Sequence, residues 1–295
     1  MKCAFVHSER NRYKVRLLCS ALEVSHAAYY RWLSRKPSAR KCKDLKLLAT
    51  IRESHKNSRQ TYGSRRVHAD VRGTGTHCGR KRIQRLMQEA GIIAVRARKR
   101  VRTTDSRHDY PIAPNTLNRD FACRPDFHKR IAGDITYIRT QSGWLYLAVL
   151  LDLASRRVIG WATSTKIDTD LVLDALRKAL RTRAFTSGTL HHTDRGSQYA
   201  GTGYQKALEA YGIECSMSEK GECYDNAVIE SFNGTIKREL IHRQRWANHE
   251  QATKAIEWYI ESWYNSTRRH SSLGYLSPVQ YELRAQAGTL NASQT

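Results

Sequence analysis

The sequence predicts an α/β domain on a mixed sheet, preceded by an all-helical, strongly basic region. Three observations predict it. The charge is divided: residues 1–108 hold 28 Lys and Arg against 7 Asp and Glu, whereas residues 109–295 hold 23 against 20. Three of the five prolines fall in DYPIAPNTLNRDFACRPD, where proline and the residue before it resist helix. Beyond that stretch, apolar runs of strand length appear and then alternate with helices. The chain therefore divides into an N-terminal helical segment (1–40), a basic helix-turn-helix region (41–108), a linker (109–125), a globular α/β core (126–283) and a C-terminal tail (284–295).

The elements follow in order. LLCSALEVSHAAYYRWL reads as two helices over about 12–34 with a turn near Val24 and Ser25. CKDLKLLATIRESHK is a third helix, with Leu45, Leu48 and Ile51 at helical spacing. YGSRRVHADVRGTGTHCGRKRIQRLMQEAGI then reads as helix, glycine-rich turn and helix. Val67 and Val71 share one face of the first; Ile83, Leu86 and Met87 share one face of the second, which Gly91 stops. This resembles a DNA-binding helix-turn-helix. Arg65, Arg66, Arg80, Lys81, Arg82 and Arg85 are its expected DNA contacts, and Arg98, Lys99 and Arg100 form a trailing phosphate-tracking arm. Solvated faces of a helical bundle would look similar, but the density of Arg favours DNA.

In the core, RIAGDITYIRT and WLYLAVLLDLAS form a hairpin across the turn residues QSG, and RRVIGWATS gives a third strand. TDLVLDALRKALRT is an amphipathic helix with a Thr/Asp cap. GTLHHTD, GYQKALEAYG and IECSMS read as strand, helix and strand; two long helices follow over about 225–241 and 248–265.

Composition narrows the function. A net charge of +24 points to a polyanion, nucleic acid above all. The 40% hydrophobic content is enough for a core. Seven scattered cysteines with no CxxC pair exclude a disulfide framework or zinc ribbon and fit a reducing cytosol. The start has no apolar signal core. The longest apolar stretch, WLYLAVLLDLA, is shorter than the roughly 20 residues a membrane helix needs. The expectation is a soluble, cytoplasmic protein with no membrane partner.

Against that basic background three acids stand out: Asp134 within a strand, Asp194 at a strand end and Glu230 within a helix. A carboxylate in a buried strand is costly unless paired or bound to metal, and strand ends of α/β sheets gather ligand sites. On the first of the two long helices, Asn226, Glu230, Asn233 and Lys237 fall on one polar stripe beside Ile229, Phe232, Ile236 and Leu240. Such a stripe suits a hard cation and a phosphate together. Paired divalent ions activate a nucleophile and stabilise the leaving oxygen of a phosphodiester. Ordinary salt-bridging or capping acids remain the alternative.

The segments GDITYI, WLYLAVLLDLASRRVIGWA, HTDRGSQY, CYDNAVIESFNGTIKREL and WYNSTRRHSSLGYLSP closely resemble insertion-sequence transposases with a retroviral-integrase-type core, especially the second-frame (OrfB-type) subunit of the IS-three family. The resemblance is dense over 126–283. It matches Asp134, Asp194 and Glu230, with 59 and 35 residues intervening, to that family's DDE triad and Lys237 to its accompanying lysine. It implies an RNase H-like five-stranded sheet, dependence on Mg²⁺ or Mn²⁺ with two ions per site, and cleavage and joining of DNA at the element's ends. Asp134 and Asp194 would hold one ion, Asp134 and Glu230 the other; Lys237, with Asn226 and Asn233, would contact DNA. The implied partners are double-stranded DNA (terminal inverted repeats and target), further copies of the chain on that DNA, and an upstream-frame (OrfA-type) subunit, free or fused. The implied location is the bacterial nucleoid.

Several residues are left open. Asp152 is a metal ligand or a turn acid. His191 and His192 are a transition-metal site or core histidines. Ser197 and Gln198 position the loop or DNA, and Asp225 caps the following helix. Arg268, Arg269 and His270 touch DNA, or their segment packs through Trp258, Tyr259 and Trp263. Two rivals also stand: a DNA-binding regulator that inhibits transposition, and a metal-dependent nuclease that cuts without joining.

Overall fold

The computed structural model describes residues 1–95, 110–182, 185, 187–219 and 222–290, the Cys223 side chain excepted. Arg98, Lys99 and Arg100 of the expected basic arm lie outside the described residues. Three short helices open the chain: α1 (Lys2–Glu9), α2 (Val15–Ala21) and α3 (His26–Leu33). They close on Val6, Cys19 and Tyr29, and the Ser25 hydroxyl caps α3 by accepting the Ala28 N–H at 3.1 Å. Helix α1 was not expected; it buries only Val6, too little for an apolar period.

Next come α4 (Ala39–Asn57), α5 (Ser64–Gly73) and α6 (Arg80–Glu89). The inner faces of α5 and α6 are the expected ones, and Gly91 follows α6 at φ +65°. The face of α4 needs correction. Asp44, Leu47, Ile51 and Ser54 are buried, while Leu45 is 52% exposed. The cause is electrostatic: Arg82 and Arg85 of α6 pair with Asp44 at 2.6 and 2.8 Å and turn that face inward.

Five strands form one sheet: β1 (Arg130–Thr140), β2 (Gly143–Asp152), β3 (Val158–Ser164), β4 (Thr189–Thr193) and β5 (Ile213–Met217). Their order is β3-β2-β1-β4-β5. The β1–β2 and β2–β3 pairs are antiparallel; β1–β4 and β4–β5 are parallel. This is the RNase H-like arrangement expected. Strand β2 alternates: Leu145, Leu147, Val149 and Leu151 enter one apolar cluster, Ala148 and Leu150 the other.

On the second face lie α7 (Thr169–Thr182), α8 (Ser197–Ala200) and α9 (Thr202–Ala210). Gly160 of β3 lets α7 approach; a Cβ there would stand 2.3 Å from the Ala175 carbonyl oxygen. The first face is covered by α10 (Ala227–Glu239) and α11 (His249–Trp258), which runs on as a π-helical stretch, Tyr259–Tyr264. A last helix, α12 (Pro278–Gln286), crosses the boundary expected at 283. Its start is legible in LSPVQ: Ser277 and Gln280 form a capping box with Pro278 in the first turn.

The helix-turn-helix region is docked on that first face. Leu47, Ile51, Val67 and Ile83 share a cluster with Phe232, Ile236 and Trp263. The Tyr62 and Trp263 rings lie 5.8 Å apart, the Tyr62 hydroxyl accepts the Arg269 N–H at 2.7 Å, and Arg269 pairs with Asp70. Among the described residues no helix is long and apolar enough to cross a membrane.

Candidate active site

Strand register builds the site. Gly133 of β1 pairs with Thr193 of β4 in the parallel ladder, so Asp134 and Asp194 come next on neighbouring chains, which ladders hold about 4.8 Å apart. Gly133 leaves room for the buried His191, since a Cβ there would lie 2.8 Å from its Nε2. Asp194 Oδ1 accepts the Gly196 N–H at 3.0 Å. Helix α10 packs across β1 and brings in the expected polar stripe. Asn233 Nδ2 donates to Asp134 Oδ2 at 2.7 Å, and the Ile135 N–H donates to Oδ1 at 2.8 Å. Glu230 lies a turn before Asn233 and Lys237 a turn after it on α10.

The electrostatics record the convergence. Burial, the Asp194 charge and the Glu230 charge push the Asp134 carboxyl up to about 7, against the two hydrogen bonds that favour its anion. Burial lowers the Lys237 ammonium, partly offset by Asp134. Asp194 and Glu230 thus destabilise the ionised form of Asp134, a strain a bound cation would relieve.

The other residues singled out in the sequence are distributed unevenly. Asn233 is 7% exposed, so its amide serves Asp134 while its Oδ1 has no hydrogen-bond partner. Asn226 is the N-cap residue of α10, and its Nδ2 reaches Ser218 Oγ at 3.4 Å. Asp225 does not cap α10; it belongs to the 3₁₀ turn Cys223–Asn226. Its buried carboxylate accepts Arg119 Nε at 2.7 Å, Asn115 Nδ2 at 3.0 Å and the Glu219 N–H at 3.0 Å, tying the linker to the start of that helix. Burial raises the Asp225 carboxyl, but Arg119 and the Glu219 N–H outweigh it and hold it below the usual range. Gln198 Nε2 reaches the Ile167 carbonyl at 3.5 Å, and Ser197 starts α8.

Asp152 is a turn acid. It is fully buried and accepts the N–H groups of His128, Ala154 and Ser155 at 2.7 to 2.9 Å. His191 and His192 are core histidines, pushed by burial down to about 3 and about 4, and His192 Nδ1 lies 2.9 Å from Ser216 Oγ. Arg268 and His270 are buried: Arg268 makes two bonds to Glu239, at 2.8 and 2.9 Å, and His270 packs edge-on against Tyr264. Tyr259 and Trp263 are core residues as packing required, whereas Trp258 is 45% exposed beneath Arg59. Of the basic residues, Arg82 and Arg85 serve Asp44 and Arg66 lies over Tyr62. Arg65, Arg80 and Lys81 are exposed. Sequence reasoning missed Arg119, Asn115 and Glu239; their partners lie far along the chain, and no local pattern marks them.

A helix-turn-helix unit set on an RNase H-like sheet, with one acid on a strand and another just past the end of its neighbour, defines a class, the integrase-core proteins. Family models agree: "Integrase core domain" matches residues 127–223 and 211–278, and "HTH-like domain" matches 42–100. A 31 kDa protein of insertion element IS600 from Shigella sonnei is 40% identical over 90% of this chain and 97% of its own length. Transposase InsF for insertion sequence IS3A from Escherichia coli (strain K12) is 38% identical over 96% of this chain and 98% of its own. The chain belongs to the IS3 family of insertion-sequence transposases, polynucleotidyl transferases with an integrase core. Among solved structures, the HTLV-2 integrase catalytic core domain in complex with magnesium is similar at 19% identity and TM-score 0.39, covering 53% of this chain and 97% of that one. A simian T-cell lymphotropic virus intasome in complex with a PP2A regulatory subunit is similar at 17% identity and TM-score 0.45, covering 71% and 72%.

Proposed function

We propose that this transposase cleaves DNA at the ends of an insertion sequence and joins them to target DNA, using Asp134, Asp194 and Glu230 as metal ligands. The observation that carries the reading is the Gly133–Thr193 register, which sets two acids side by side where α10 presents a third. The donor set fits a hard divalent cation: carboxylate oxygens, with the unpartnered Asn233 carbonyl oxygen nearby. Among the described residues no three His, Cys, Asp or Glu side chains converge closely enough to hold a metal by themselves. Mg²⁺ needs only one or two carboxylates, because it keeps waters and substrate phosphate as its other ligands.

Asp134 with Asp194 would hold one Mg²⁺ or Mn²⁺ ion, and Asp134 with Glu230 a second. Bound there, such ions would lower the pKa of the attacking water or hydroxyl and stabilise the leaving oxygen. Asn233 orients Asp134, and Lys237 neutralises a phosphate beside the scissile bond. In cleavage the attacking oxygen comes from water and a DNA 3′-hydroxyl leaves. In joining that 3′-hydroxyl attacks a target phosphodiester and the target strand's own 3′-oxygen leaves as a hydroxyl, so one P–O bond replaces another without a covalent protein–DNA bond. The active species is a DNA-bound oligomer in the cytoplasm, acting on nucleoid DNA alone or with an upstream-frame subunit.

The test is cleavage and joining of labelled linear DNA carrying candidate element ends, in Mg²⁺, Mn²⁺ or EDTA, with the upstream frame supplied. Joined products that need metal, and disappear in Asp194→Asn and Glu230→Gln, are the expected result. Cutting without joining would leave a nuclease. Binding without either would leave a regulator.

A further inference from the structure

Beside the docked helix-turn-helix unit lies a cleft of about 400 Å³ far from neutral. Its walls come from three places. Arg65, His68 and Arg72 line it from α5, Arg80 from the start of α6, and Arg269 and Arg284 from the C-terminal part of the core, Arg284 on α12. Arg269 is neutralised by Asp70 and bonds the Tyr275 carbonyl at 2.8 Å, which shapes the cleft floor. Arg65, Arg72, Arg80 and Arg284 are exposed, and none forms an ion pair with a described carboxylate. Four uncompensated guanidinium groups around one concavity repel each other and focus positive potential into it. By contrast Arg82 and Arg85, further along α6, are already paired with the buried Asp44 of α4.

We infer that this cleft is a composite phosphate site for duplex DNA, in which α5, the start of α6 and α12 grip one stretch of backbone. The inference rests on the transposase reading for its choice of DNA. It places the grip at the seam between two parts of the chain rather than along the outer face of α6. DNA held there is fixed relative to the catalytic sheet, because Tyr62, Asp70 and Arg269 lock the seam. Guanidinium groups on backbone phosphate position a duplex without reading its sequence.

The experiment uses the full chain and measures binding of a labelled mixed-sequence duplex and a labelled element-end duplex across a potassium chloride series. Arg72→Ala and Arg284→Ala are each expected to weaken both duplexes roughly eightfold at 0.1 M salt and to lower the salt slope by about 0.9, one phosphate contact. Arg72→Lys and Arg284→Lys keep the slope, and Lys254→Ala on α11, paired with Glu250, serves as the control. An unchanged slope in Arg284→Ala beside a reduced one in Arg72→Ala would overturn the composite site. Loss confined to the element end would overturn backbone contact. Inorganic phosphate that raises the melting temperature of wild type but not of Arg72→Ala, with duplex binding unchanged, would make it a small-anion site and also overturn the inference. Normal cleft binding without cleavage or joining would instead sink the transposase reading and leave the cleft standing.

Discussion

Helix α10 carries acids toward both ends, in opposite surroundings. Glu239, at its last residue, is 2% exposed and fully matched: Arg268 donates to both its oxygens at 2.8 and 2.9 Å and Tyr259 donates at 3.0 Å. Burial pushes that carboxyl up, but Arg268 outweighs burial and holds it below the usual range. Glu230, nine residues earlier, faces Asp134, whose carboxyl is pushed up to about 7 by burial and by Asp194 and Glu230. The structural acid is given a cation by its own chain. Asp134 is instead set against the charges of Asp194 and Glu230.

Breaking each end sharpens that contrast. Glu230→Gln is expected to lower cleavage and joining on the order of 10³-fold, the several kcal/mol a metal ligand set contributes, while leaving the melting temperature unchanged or raised. Glu239→Ala should do the reverse, costing about 3–5 kcal/mol by leaving Arg268 buried and unpaired; chemical denaturation measures it. The double change Glu239→Leu with Arg268→Met should recover most of that loss. Full stability in Glu239→Ala would show that the pair is not what anchors α10.

Asn233→Ala comes next, with an expected 10- to 100-fold loss of joining, as for a partner that orients a metal ligand. Loss of stability without loss of rate would refute its orienting role. Asp225→Asn has the smallest effect, about 1–3 kcal/mol, because Arg119 loses its charged acceptor while the buried site stays filled. It is read by thermal unfolding, and Arg119→Ala in the same background should add little.

The legible and illegible parts of the molecule divide along the same physical line. Period-2 apolar runs, the QSG turn and the GDITYI, HTDRGSQY and AVIESFNG segments exposed the sheet and the three acids, because each signal sits within a few residues. The Asn226–Lys237 stripe was readable for the same reason. Long-range pairing was not. Nothing near Asp225 marks Arg119, 106 residues away, and nothing near Glu239 marks Arg268. The face of α4 was misread for a related reason. Its deciding residue is a charged one, Asp44, buried only because Arg82 and Arg85 come to it from α6.

The most direct test of the two-acid contrast is thermal stability against pH for wild type and Asp134→Asn, in EDTA and in saturating Mn²⁺. Burial and the neighbouring charges of Asp194 and Glu230 push the Asp134 carboxyl up to about 7 in the folded protein, against an ordinary 3.8. Between those values the folded chain binds more protons, so rising pH costs wild type stability. His191 and His192, whose folded values are depressed, push the other way, and the readout is therefore the difference between wild type and variant. That difference should fall steadily across the window in EDTA, and Mn²⁺ should reverse it in wild type while leaving Asp134→Asn unmoved. A difference that is flat with pH and indifferent to Mn²⁺ would contradict the claim that these acids are arranged to receive a cation.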